Sequence, residues 1–154
     1  MLRRRMMMQM AQEVEEEMGW KEVKTVVVQN DGDVLYVDGF EAERIRITAM
    51  LAATEDNKGL RFNISEDLYA SAFNLGMSIT TNLNPITFEL GVVGNCAIST
   101  AFCTPKNYIS ANAQSAYAGG MTLPNGETLL KRFRINSANG KLKIGSWMKI
   151  EKWR

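Results

Sequence analysis

Histidine is missing altogether from these 154 residues. That removes the side chain most often used for proton transfer near neutral pH, and the commonest zinc ligand. Ser-His-Asp and Cys-His arrangements are therefore excluded within the chain. Cysteine is scarce: Cys96 and Cys103 are the only two. Their spacing in "NCAISTAFCTP" fits no zinc or redox motif, so they read as small buried or half-buried thiols, with a disulfide or a reactive thiol as the alternative. Nothing in them calls for an oxidising compartment. No run is long and apolar enough to span a bilayer as a helix. An excess of one charge is lacking too. Eighteen basic residues stand against seventeen acidic ones, for a net charge of +1, so no overall field draws the chain to nucleic acid or to a membrane surface. The opening "MLRRRMMMQMAQEVEEEM" begins basic, as a signal peptide does, but its later half is acidic. It has no apolar h-region and no small-residue cleavage site, and secretion by the general route is not expected.

What is present reads as one globular domain. The hydrophobic fraction of 45% and the charged fraction of 23% are ordinary for such a chain, and the length suffices for a sizeable core. Residues 3–18 have helical spacing, with Met7, Met10, Ala11, Val14 and Met18 forming one apolar stripe and Gly19 as the stop. The charges of this segment oppose the helix dipole, arginines first and glutamates last. A helix of about sixteen residues is marginal alone and needs a surface to pack on. Met7, Met10, Val14 and Met18 are thus candidate oligomerisation or docking residues, the alternative being a helix that packs on its own domain or frays. The chain divides into an N-terminal helical segment, 1–20, and a β-domain, 21–154.

From Lys21 onward the period is two. "EVKTVVVQ" is a β-branched strand, "NDGD" a tight turn, and "VLYV" a second strand closed by "DGF". "ERIRITAMLAA" puts Ile45, Ile47, Ala49 and Leu51 on one face and Arg44, Arg46, Thr48 and Met50 on the other. "LRFNIS" does the same with Leu60, Phe62 and Ile64, as does "ITFELGVV" with Ile86, Phe88, Leu90 and Val92. The stretch 66–82 permits a helical turn or a loop before a strand. "CAISTAFC" is a strand, while "NYISANAQSAYAGG" is small, polar and without a clear period. After the turn "LPNGET" come "LLKRFRIN", the turn "SANG", and "KLKI" and "SWMKIEKW" around Gly145. About nine short strands, with Asn, Gly and Pro turns between them, predict an antiparallel, jelly-roll-like β-sandwich. Its last strand is expected inside a sheet near the first, with Met148 and Ile150 inward and Trp147 and Trp153 on the other face.

Four constellations carry candidate chemistry. Asp31, Asp33 and Asp38 are close enough in sequence to suggest calcium, although the spacing is not that of an EF-hand and Asp-Gly is chiefly a hairpin signal. No metal or cofactor is assigned. Trp147, Trp153, Tyr108 and Tyr117 are candidate glycan-stacking residues if they share an exposed face; otherwise they belong to the core or an interface. Lys131, Arg132, Phe133 and Arg134 interleave bases with an aromatic, a pattern that can bind single strands. Without a net basic charge they read as a solvated strand face. Glu66 and Asp67 are adjacent acids of the kind a glycosidase pairs across a cleft, and are more simply a helix start or a loop. No catalytic residue is assigned, and the chain reads as a binding or assembly protein rather than an enzyme.

The C-terminal "FRINSANGKLKIGSWMKIEKWR" follows the layout I-x-I, turn, G-S-x-hydrophobic-K-I-x-x-aromatic. It resembles the final hairpin of small β-sandwich structural proteins of phages and prophages of gut Firmicutes. "MLRRRMMM" is similar to the starts of short reading frames in that group, and "DGFEAERIRITAML" to the strand pair that opens such domains. The resemblance implies a virion component of tail, baseplate or fibre, made in the bacterial cytoplasm. It implies a homo-oligomer in contact with other virion proteins and presenting a face to cell-surface glycan. It supplies no catalytic residues.

Overall fold

Alternation of apolar and polar residues dictates the architecture. A computed structural model describes residues 18–66, 78–103 and 115–154. Ten strands run through them: β1 (Trp20–Val27), β2 (Leu35–Ala42), β3 (Arg44–Leu51), β4 (Lys58–Asn63), β5 (Ser78–Ile79), β6 (Asn84–Val93), β7 (Cys96–Cys103), β8 (Ser115–Thr122), β9 (Leu130–Ser137) and β10 (Trp147–Trp153). They form two sheets, ordered β1-β10-β3-β6-β7-β8 and β2-β9-β4-β5, with every pairing antiparallel. The only helical element among the described residues is a 3-10 turn, Pro124–Gly126.

The core is what the period-two pattern selects. Ile45, Ile47, Ala49 and Leu51 of β3 are buried against Ile86, Phe88 and Leu90 of β6, Leu60 and Phe62 of β4, and Phe133 and Ile135 of β9. At the centre three rings join the sheets. Phe62 stacks on Phe88 with centroids 5.2 Å apart, and Phe133 lies 5.6 Å from Phe88 and 6.3 Å from Phe62. Arrangements of this kind add to the area that the rings remove from water.

The last strand is tied in on both sides. β10 pairs with β1 and with β3, and Met148 and Ile150 are fully buried. Its entry explains the run "GSW". Gly145 has φ +87, a left-handed conformation that suits glycine. The buried Ser146 then substitutes for a strand residue. Its Oγ accepts a hydrogen bond from the Ala52 amide at 3.0 Å and donates one to the Ala52 carbonyl at 3.2 Å.

Several expectations are corrected. Residues 3–17 of the expected helix lie outside the described residues, and Met18 stands in an exposed bend rather than a helix. "DGF" does not close β2: Gly39, at φ +76, sits inside the strand where the register with β9 shifts, so the chain bulges and continues to Ala42. "KLKI" is no strand; only Leu142 forms a bridge, to Ala53. β8 arises from "SAYAGGMT", where small residues hide the period.

Candidate functional site

The outer face of the six-stranded sheet is laid out in rows by its register. Trp20 of β1 faces Trp153 of β10, and just past the end of the β10–β3 register Arg44, Gly91, Ile98 and Gly120 form a row across β3, β6, β7 and β8. The next holds Glu22, Glu151, Arg46 and Glu89. Arginines of β3 meet glutamates of the neighbouring strands within and between these rows, although Glu22 lies opposite Glu151. Arg44 pairs with Glu89 at 2.7 Å, Arg46 with Glu151 at 3.0 Å, and Lys149 with Glu151 at 3.6 Å. Trp20 meets Trp153 edge-on, centroids 5.4 Å apart at 73°. The guanidinium groups of Arg46 and Arg44 lie 4.5 and 5.3 Å from the Trp20 ring centre, close enough for cation–π attraction. The indole of Trp20 is thereby fixed, while Trp153 keeps 43% of its surface in solvent.

Beside this cluster lies an open cleft of about 760 Å³, lined by Glu43, Arg44, Gly91, Val93, Ile98 and Trp153 among others. Gly91 lacks a side chain where the row would otherwise be filled, and Val93 and Ile98 stand exposed on either side of it. Strand parity places Ile98 outward because Ala97 and Ser99 are buried. The row thus mixes one indole, two aliphatic side chains and charged groups on one solvent-exposed surface.

The second cluster lies on the outer face of the four-stranded sheet. Arg132 and Arg134 of β9 alternate with the core residues Phe133 and Ile135, and face Asp38 and Tyr36 of β2 in register. They are not a solvated face, as the sequence suggested: Arg132 is 8% and Arg134 5% exposed. Glu127 grips Arg132 with both carboxylate oxygens, at 3.1 and 3.2 Å, and Glu66 lies 3.4 Å from the same guanidinium. Arg134 donates to the carbonyls of Glu66 at 2.9 Å and Ser65 at 3.4 Å and stands 5.1 Å from the Tyr36 ring centre. Burial works against the charge of Arg132, but the hydrogen bonds and charge of Glu127, aided by Glu66, outweigh it and raise its pKa. Burial, reinforced by Asp38, raises the pKa of Tyr36 above 10.0. A smaller cleft of about 440 Å³ opens beside Asp38, Gly39, Glu66, Lys131 and Arg132.

The sequence candidates fall as follows. Trp147 and Trp153 share the outer face of β10, but six residues of strand separate them by roughly 20 Å. They do not form one platform; the partner of Trp153 is Trp20, which lies 133 positions away, and no local sequence pattern joins the two. Tyr108 lies outside the described residues, and Tyr117 falls in β8, four strands from β10. Met7, Met10 and Val14 lie outside as well, and Met18 is exposed. Asp31, Asp33 and Asp38 do not converge. Asp31 accepts the Ile144 amide at 2.7 Å, Asp33 accepts that of Asn30 at 2.9 Å, and Asp38 is on the face of β2 that meets Arg132. Among the described residues no group of three His, Cys, Asp or Glu side chains is placed to hold a metal ion. Glu66 contacts Arg132 rather than a second acid across a cleft, and Asp67 lies outside the described residues. Cys96 is a free, half-buried thiol at the start of β7.

No family model matches the chain, and neither a curated protein nor a solved structure matches it.

Proposed function

We propose that the chain is a non-enzymatic structural module of a phage or prophage particle, a tail, baseplate or fibre component that works as a homo-oligomer. The observation that carries this reading is the strand order. Setting aside β7 and β8, the sheets read 1-10-3-6 over 2-9-4-5, which agrees with an eight-stranded jelly roll, a fold at home in viral shells and lectins. The placement of side chains favours the same reading. The buried arginines bind carboxylates and carbonyls of the chain itself, and the sequence holds no histidine to serve as a proton shuttle. Fold-level analogy is an associational argument, so the test is direct. Light scattering on the full chain should give an oligomer, and on a chain lacking residues 1–19 a monomer; a full chain that stays monomeric at high concentration overturns the proposal. A second reading, a carbohydrate-binding sandwich, is favoured by the half-exposed indole of Trp153 beside its cleft.

A further inference from the structure

We infer that the cleft over Gly91 is a binding site for an uncharged pyranose, such as the terminal hexose of a surface glycan. This rests on the host-attachment aspect of the reading above and assigns it a place on the molecule. The cleft has the volume of a small-ligand site, which typically spans about 300–1,000 Å³. One side offers flat and aliphatic surface from Trp153, Ile98 and Val93, the last two 50% and 66% exposed. A pyranose presents such surfaces with a face of C–H bonds. The lining also includes the exposed Glu41 and Glu43, whose carboxylates can accept hydrogen bonds from vicinal hydroxyls.

Charge does not favour an acidic sugar. The lining sets two cations, Arg44 and Arg154, against the carboxylates of Glu41 and Glu43, and Arg44 is already held by Glu89 at 2.7 Å, so no excess of positive charge draws in a carboxylate or a sulfate. The indole is also preorganised. Trp20 braces Trp153 from the neighbouring strand and is itself held by two guanidinium groups, so little side-chain freedom is lost on binding.

Gly91 permits a clean test. A Cβ built there meets nothing within 4 Å, and its backbone is not in the left-handed region. Gly91→Leu should therefore fold normally while filling the cleft. The full-length chain is titrated with methyl glycosides of neutral hexoses and with a sialoside, observed by saturation-transfer NMR. Expected is millimolar binding of at least one neutral glycoside, no sialoside binding, at least a tenfold loss in Trp153→Ala, and complete loss in Gly91→Leu with an unchanged circular dichroism spectrum. Failure of the wild-type chain to bind any neutral glycoside overturns the inference, as does binding that survives Gly91→Leu. Light scattering on the same samples separates the two proposals. An oligomer that binds no sugar refutes the sugar site alone, whereas a sugar-binding monomer refutes the assembly reading alone.

Discussion

Ser146→Ala is a sharp probe of how the last strand is anchored. The hydroxyl serves both backbone groups of Ala52, yet the two are not equally dependent on it. The Ala52 carbonyl also accepts the Lys143 amide at 2.8 Å, so it keeps a donor in the variant. The Ala52 amide has the Ser146 hydroxyl as its acceptor, and both residues are buried, at 2% and 0% exposure. The substitution thus orphans one buried N–H, which costs about 1–3 kcal/mol, and removes one of two donors to a carbonyl, a smaller loss. A total of about 2 kcal/mol is expected. For a domain of this size that corresponds to a fall of roughly 4–8 °C in melting temperature. Urea unfolding should report a lower midpoint with an unchanged slope, and the Ala52 amide should lose protection in hydrogen exchange. A loss below about 0.5 kcal/mol, with Ala52 still protected, would refute the reasoning, because another acceptor would then have to serve that amide.

Three further outcomes follow from the packing. Glu127→Gln leaves the Arg132 charge buried with only the exposed Glu66 to answer it, and should cost about 3 kcal/mol; a double-mutant cycle with Arg132→Met in urea should show strong coupling, and additivity would contradict the pairing. Phe88→Ala removes the ring that bridges the two sheets and should cost about 3–5 kcal/mol in the same assay, with a loss under 1 kcal/mol contradicting the triple stack. Tyr36 has a folded pKa raised above its ordinary 10.0, so the folded state holds the phenolic proton more tightly. Its contribution is complete below pH 10.0 and is lost as pH rises through the folded value. Stability should therefore fall more steeply above pH 10 in the wild type than in Tyr36→Phe, and equal slopes would count against the burial of that hydroxyl.

Much of the fold was legible because burial on one face of a strand writes itself as period two. Arg44 to Leu51 is the clearest case: every second residue is buried, and of the remainder Arg44 and Arg46 form the ion pairs of the outer face. β8 was not legible, since "SAYAGGMT" has too little contrast between its faces to show a period. The arginines of β9 were misread for a different reason. Alternation correctly set Arg132 and Arg134 opposite Phe133, but whether an outward face is solvated depends on what lies over it. Glu66, Glu127 and Tyr36 come from separate segments, and one sequence does not bring them together. The same holds for the indole pair. Trp153 was recognisable as outward-facing, but the pairing Trp20↔Trp153 is a fact of register between strands over a hundred residues apart. Period two gives faces and leaves neighbours open.

The pairing of β1 with β10 also sets a timetable. Val26 lies opposite Met148, so the chain must grow by 122 residues after Val26 before its partner exists. At about 5–20 residues per second that interval lasts roughly 6–24 s. Among the described residues β10 is the only mate of β1 and one of two mates of β3. Throughout that interval the ribosome carries a half-built sheet whose slot between β1 and β3 is empty, with one flank of β3 and the whole of β1 displaying unused backbone donors and acceptors. Such edges invite pairing with neighbouring chains. The lysines at positions 21 and 24 of β1 place charge on a strand that must wait for its mate, which is where a growing chain is best protected from its copies on the same messenger.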